Sequence, residues 1–229
     1  MRLNSPYIDR GELHFVGRHA ELMKLHQALQ KRKRGNIVAL TGMAGVGKTA
    51  LVQHCVREYS RDYPGGVYWF ADRHTNLGAE IVQFAQLDLD LDVPQQSADG
   101  KSLSLVEQVA WCWEHWPEPV WAPNDRPTGI LALSGVSQPQ SQEDRAASLY
   151  RSQTLLPDRP AILIVVDGVR DWGDCQPFLP EDDRFRTIVT TRSLEGDSPW
   201  LEISLSGLLP TTALQLLSSG TNPASTSIE

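Results

Sequence analysis

Five short apolar runs alternate along the chain with segments whose apolar residues recur every three to four positions. Ile37-Val38-Ala39-Leu40 is the first run and Val67-Tyr68-Trp69-Phe70, rich in aromatic and β-branched residues, the second. The third, Ala161-Ile162-Leu163-Ile164-Val165-Val166, is unbroken, as in a parallel strand buried on both faces. Phe185-Arg186-Thr187-Ile188-Val189-Thr190-Thr191-Arg192 is the fourth and Leu201-Glu202-Ile203-Ser204-Leu205 the fifth. Helical spacing fills the gaps. A helix over 18–33 buries Leu22, Leu25, His26 and Leu29, and one over 49–59 buries Leu51, Val52, Cys55 and Val56. Further helices follow over 77–87, over 104–116 with Val106, Val109, Ala110 and Trp113 on one face, over 144–156, and over 212–218.

The segments between them read as stops and loops. Lys31-Arg32-Lys33-Arg34 before Gly35-Asn36 places cations at a helix C-terminus and then ends it. Residues 1–12 form a polar, flexible lead, 220–229 a flexible tail, and one domain spans 13–219 between them. Within that domain, 117–143 is a proline-rich insertion, either unstructured or a binding element. Trp111, Trp113, Trp116 and Trp121 are read as packing rather than as a stacking platform for a ligand.

Composition narrows the class. The 229 residues suffice for a full core, and a formal charge of -7 argues against a chain whose main task is gripping nucleic acid. No apolar run reaches membrane-spanning length and the first residues lack a signal-peptide core, so a cytoplasmic location without membrane partners is expected. Cys55, Cys112 and Cys175 are scattered, which fits reduced thiols better than bridges or a zinc site.

Chemistry enters at the end of the first run. Gly42-Met43-Ala44-Gly45-Val46-Gly47-Lys48-Thr49 has the G-x4-G-K-T spacing of a phosphate-binding loop, lodged between a strand and a helix. Its glycines let backbone amides approach phosphate oxygens, and the helix dipole beginning near Ala50 favours the anion. Lys48 would reach the outer phosphates and the Thr49 hydroxyl a magnesium ion. Asp167 at the tip of the third run is the matching acid for the metal. Arg192, closing the fourth, could set a planar guanidinium on a terminal phosphate. A nucleoside di- or triphosphate with magnesium is thus the expected ligand.

Taken together, Phe15-Val16-Gly17-Arg18-His19-Ala20-Glu21, the Gly42–Thr49 loop, Ile162-Leu163-Ile164-Val165-Val166-Asp167-Gly168 and Thr190-Thr191-Arg192 resemble, in order, the motifs of the NB-ARC group within the STAND signalling ATPases. The resemblance implies an α/β P-loop NTPase fold, a three-layer sandwich on a five-stranded parallel sheet of order 5-1-4-3-2. It implies that Val16, Gly17 and Arg18 border the nucleotide, together with Gly42, Ala44, Gly45, Val46, Gly47, Lys48, Thr49, Ala50 and Arg192, with Thr49 and Asp167 on the metal. Two departures qualify it. Many relatives carry a second acid after the strand where this chain has Gly168, leaving Asp171 as the nearby substitute and hydrolysis expected to be slow or absent. The family's C-terminal lid subdomains are not recognised in these 229 residues, so a nucleotide cradle without its lid, acting with protein partners or separate effector and sensor domains, is the expectation. An active motor, kinase or remodelling ATPase and a non-catalytic interaction module are the alternatives.

Overall fold

The computed structural model describes residues 3–4, 15–31, 36–71, 76–117, 160–193 and 200–220. At its centre lie β2 (Asn36–Thr41), β3 (Val67–Ala71), β4 (Ile162–Val169), β5 (Phe185–Thr191) and β6 (Leu201–Ser204). All pair in parallel in the order β3-β4-β5-β2-β6, which renumbered from β2 is 2-3-4-1-5, the same order as 5-1-4-3-2 read from the other edge. A sixth strand, β1 (Leu3–Asn4), pairs with Val67 and Tyr68 at the β3 edge, inside the segment expected to be a flexible lead. Two residues of edge pairing carry too little periodicity to be seen in sequence.

Alternate residues of each strand serve opposite faces, and each face is covered. Val38, Leu40, Val67, Trp69, Leu163, Val165 and Ile188 pack with α1 (His19–Leu29) and α2 (Lys48–Tyr59). Ile37, Tyr68, Phe70, Ile162, Ile164, Val166 and Val189 pack with α3 (Leu77–Leu87) and α4 (Leu105–Glu114). This double coverage is why β4 is apolar without alternation. Three layers result.

Several elements differ in detail from their sequence expectation. α1 stops at Leu29 because the Asn36 amide group donates to the carbonyls of Ala28, Leu29 and Lys31 at 3.2, 3.1 and 2.7 Å, satisfying the helix end. Ala28 joins its buried face, while His26 is only half-buried and stacks on Tyr59 with ring centroids 3.8 Å apart. On α4 the buried stripe is Val109, Cys112 and Trp113, continued by Trp116, and Val106 and Ala110 face out. Ser104 and Glu107 close a reciprocal capping box at its start.

Trp111, Trp113 and Trp116 pack. Trp116 is 2 % exposed and lies against Tyr68, Phe84 and Trp113, and the Trp113 indole N–H donates to Phe178 O at 2.9 Å. Arg184 completes the cluster by donating to the carbonyls of Trp113 and Trp116 at the end of α4. All three cysteines are buried and none is in a disulfide among the described residues. The final helix, α6 (Pro210–Gly220), was expected over 212–218 as amphipathic, yet Leu214 and Leu217 are 65 % and 69 % exposed. Trp121, the proline-rich 117–143 stretch beyond Pro117, the helix over 144–156 and the tail past Gly220 lie outside the described residues.

Candidate functional site

The phosphate-loop residues turn between β2 and α2 at the C-terminal edge of the sheet. Gly42 leads out of the strand at φ +143, and a Cβ there would lie 2.5 Å from Leu205 O, so a side chain cannot be accommodated. Gly47, at φ 98, is the N-cap of α2. On the outer side a Cβ at Gly45 or Gly47 would meet nothing within 4 Å, so the loop borders open space. The first-turn amides of a helix have no intrahelical acceptor and the dipole there is positive, and this cradle therefore suits an anion.

The Lys48 ammonium folds across the loop, donating to Gly42 O at 2.6 Å and Met43 O at 2.9 Å. Burial pushes its pKa below the ordinary lysine value; Asp167 acts to raise it and Arg192 to lower it. The three charges thus share one field.

Asp167 is 6 % exposed near the end of β4. The Thr49 hydroxyl donates to its Oδ1 and Oδ2 at 2.9 and 3.1 Å, and the Thr190 hydroxyl donates to Oδ1 at 2.5 Å. Next to it, the Gly168 amide donates to Thr190 Oγ1 at 2.8 Å. Among the described residues there is no cluster of three or more His, Cys, Asp or Glu able to cage a metal. One carboxylate beside one hydroxyl is nevertheless a fitting donor set for magnesium, a hard cation that keeps waters and takes its remaining oxygens from phosphate.

Arg192 is exposed just after β5, and its carbonyl accepts from Gly42 N at 3.2 Å, tying that strand end to the loop. Ala44 is exposed on the loop and Ala50 half-buried in the first turn of α2. Asp171 is exposed and serves as N-cap of α5 (Trp172–Cys175), its Oδ1 accepting from Gly173 N at 2.8 Å. That capping bond gives it a structural task.

Val16 and Gly17 lead into Arg18, a non-glycine residue at φ 63. Its guanidinium donates to Glu21 Oε1 at 3.1 Å, to Val46 O at 3.2 Å and to Ser206 O. The head group is therefore engaged with the loop's own backbone. A methyl of Thr212 on α6 sits 2.6 Å from where a Cβ of Gly17 would be. Sequence reasoning did not single out Ser206, and it named Thr190 within the Thr190-Thr191-Arg192 motif without a role of its own, although a threonine that is 1 % exposed in an apolar strand is a polar group that must find a partner.

A search of curated proteins finds no match. The crystal structure of Cdc6p from Pyrobaculum aerophilum is similar to this chain with a TM-score of 0.51 at 14 % identity, over 93 % of this chain and 51 % of that one. The likeness is one of fold, and the chain spans about half the length of that protein. The family model described as AAA ATPase domain matches residues 14–176, which include the phosphate loop, Asp167 and Asp171. This chain, a P-loop nucleotide-binding ATPase module, belongs to the AAA ATPase domain family.

Proposed function

We propose that the chain binds ADP or ATP with magnesium and works as the nucleotide-sensing part of a STAND-type signalling switch, hydrolysing ATP slowly or not at all. The observation that carries the binding reading is the Thr49–Asp167 pair, a hydroxyl and a buried carboxylate joined beside the Lys48 ammonium in a loop open to one side. In this reading Lys48 releases the two loop carbonyls for phosphate oxygens, a charge-assisted exchange. Thr49 and Asp167 would hold magnesium, which supplies neutralisation of phosphate charge when bound. Val16, Gly17, Gly42, Ala44, Gly45, Val46, Gly47 and Ala50 supply backbone around the nucleotide. Arg18 braces the loop from behind and Arg192 is the exposed cation positioned to read a terminal phosphate.

Slow hydrolysis rests on the residues just after Asp167. Gly168 offers no group to orient or deprotonate a water, and Asp171 is held in a helix cap. The Phe15–Glu21 and Thr190–Arg192 segments support the NB-ARC reading by the order of their motifs, and protein partners or further effector and sensor segments would carry its output. Isothermal titration of the full chain with ADP and ATP, with and without magnesium, tests binding, and the absence of heat with either nucleotide would sink it. The AAA ATPase family match favours turnover as the second reading. Phosphate release faster than about one per second, lost in Lys48→Ala, would establish that instead.

A further inference from the structure

We infer that Thr190 is a positioning residue for the magnesium site, holding the Asp167 carboxylate in one orientation through a bulge in the parallel sheet. The inference deepens the magnesium-nucleotide reading and rests on it. Val166 pairs with Val189 and Val169 pairs with Thr191, so between these rungs the two residues Asp167 and Gly168 on β4 face the single residue Thr190 on β5. Bulges are rare in parallel sheets and concentrate beside active sites, where they re-aim a side chain. The bulge interrupts the ladder at Gly168. Its amide donates to Thr190 Oγ1 at 2.8 Å, and Gly168 itself lies at φ +85.

That bond fixes the direction of the next one. A hydroxyl has one proton, and with the Gly168 N–H donating to its oxygen, the Thr190 proton is directed to Asp167 Oδ1 at 2.5 Å. Asp167 is consequently held from β5 by Thr190 as well as from α2 by Thr49. With Oδ1 shared between both hydroxyls, Oδ2, approached among the described residues by Thr49 alone at 3.1 Å, is the less committed oxygen for the metal or its waters. A carboxylate free to rotate would lose that presentation, since positioning shells are what keep metal ligands oriented.

The test is a magnesium titration of ADP affinity by calorimetry on the full chain, comparing wild type with Thr190→Val, Thr190→Ala and Thr190→Ser. Valine keeps the shape without the hydroxyl, alanine covers the event that valine prevents folding, and serine restores the hydroxyl. The expected result is that valine or alanine lowers the magnesium-dependent gain in ADP affinity about tenfold while serine retains it. ADP affinity in EDTA should stay within about threefold across the series, a separation that a general loss of structure would not produce. Should valine and alanine keep the wild-type magnesium gain, or should serine lose it as they do, the inference is overturned while the nucleotide reading stands. If wild type itself shows ADP binding without any magnesium gain, the metal reading and this inference fall together.

Discussion

The Thr49 hydroxyl reaches both oxygens of Asp167 across 118 positions of sequence, at 2.9 and 3.1 Å, and so joins the first turn of α2 to the end of β4. A hydroxyl there can donate to the carboxylate while keeping a lone pair for a metal. Thr49→Ser should therefore preserve magnesium-dependent ADP affinity, and Thr49→Val should lose about tenfold of it. Lys48→Ala removes charge-assisted bonds of about 1.5–3 kcal/mol, a loss of about 10- to 100-fold in ADP affinity whether or not magnesium is present. Titration calorimetry on the three variants checks both statements.

Lys48 also makes a pH prediction. Its pKa in the free protein lies below the ordinary 10.5 because of burial. Phosphate favours the ammonium, so binding raises that pKa and takes up a proton wherever the free lysine is partly neutral. ADP affinity should decline as pH rises through the lowered lysine value, at a pH below 10.5. In Lys48→Arg, which does not titrate in this range, the decline should vanish. For folding the sign is opposite: a lowered lysine pKa makes Lys48 less unfavourable to the native state as pH climbs from its folded value toward its unfolded one. Solvent screening keeps that contribution small.

Gly168 sits at φ +85 with nothing within 4 Å of an added Cβ, so the obstacle to a side chain is backbone conformation rather than space. Gly168→Ala should cost about 1–2 kcal/mol. Gly168→Asp should cost less, because Asp tolerates this region better. Gly168→Ala is expected to leave phosphate release unchanged, whereas Gly168→Asp, which supplies the missing acid, should raise it. Thermal unfolding together with a phosphate-release assay tests the pair.

The Arg18 guanidinium, 7 % exposed, connects Glu21, the loop carbonyl of Val46 and Ser206 O beyond β6. Arg18→Met removes these bonds, of which those to Glu21 and Val46 are part-buried and that to Ser206 is exposed, at a cost of about 0.5–1.5 kcal/mol. The expected signature is faster amide hydrogen exchange at both 43–47 and 206–213, two stretches far apart in sequence. Faster exchange at only one of them would show that Arg18 does not link them.

Burial pushes the Cys55 thiol up to about 12 and the Cys112 thiol to about 11. Since the thiolate is the reactive form, neither should be alkylated by iodoacetamide at about pH 8 until the chain is unfolded in guanidinium. Mass spectrometry of the labelled peptides reads this directly.

Much of the fold was legible because its signals are local. The buried face of α2, Leu51, Val52, Cys55 and Val56, and the unbroken apolar run of β4 follow from side-chain period and double burial. Less was legible where neighbours decide. Val106 and Ala110 have the same spacing as truly buried residues, and it is the packing against Tyr68, Phe84 and Phe185 that has Val109, Cys112, Trp113 and Trp116 face inward.

The sequence alone determined that a strand, a glycine-rich turn and a helix meet at Lys48 and Thr49, because spacing and residue type within a dozen positions dictate that geometry. It also placed Asp167 at a strand tip. Only the tertiary structure decided what surrounds that carboxylate: Thr190 lies 23 residues away, and its pairing depends on a shift of register between β4 and β5. Likewise the contact from Arg18 to Ser206 spans 188 residues. Hydrogen bonds of such reach are products of chain folding, and no local pattern of hydrophobic and polar residues encodes them.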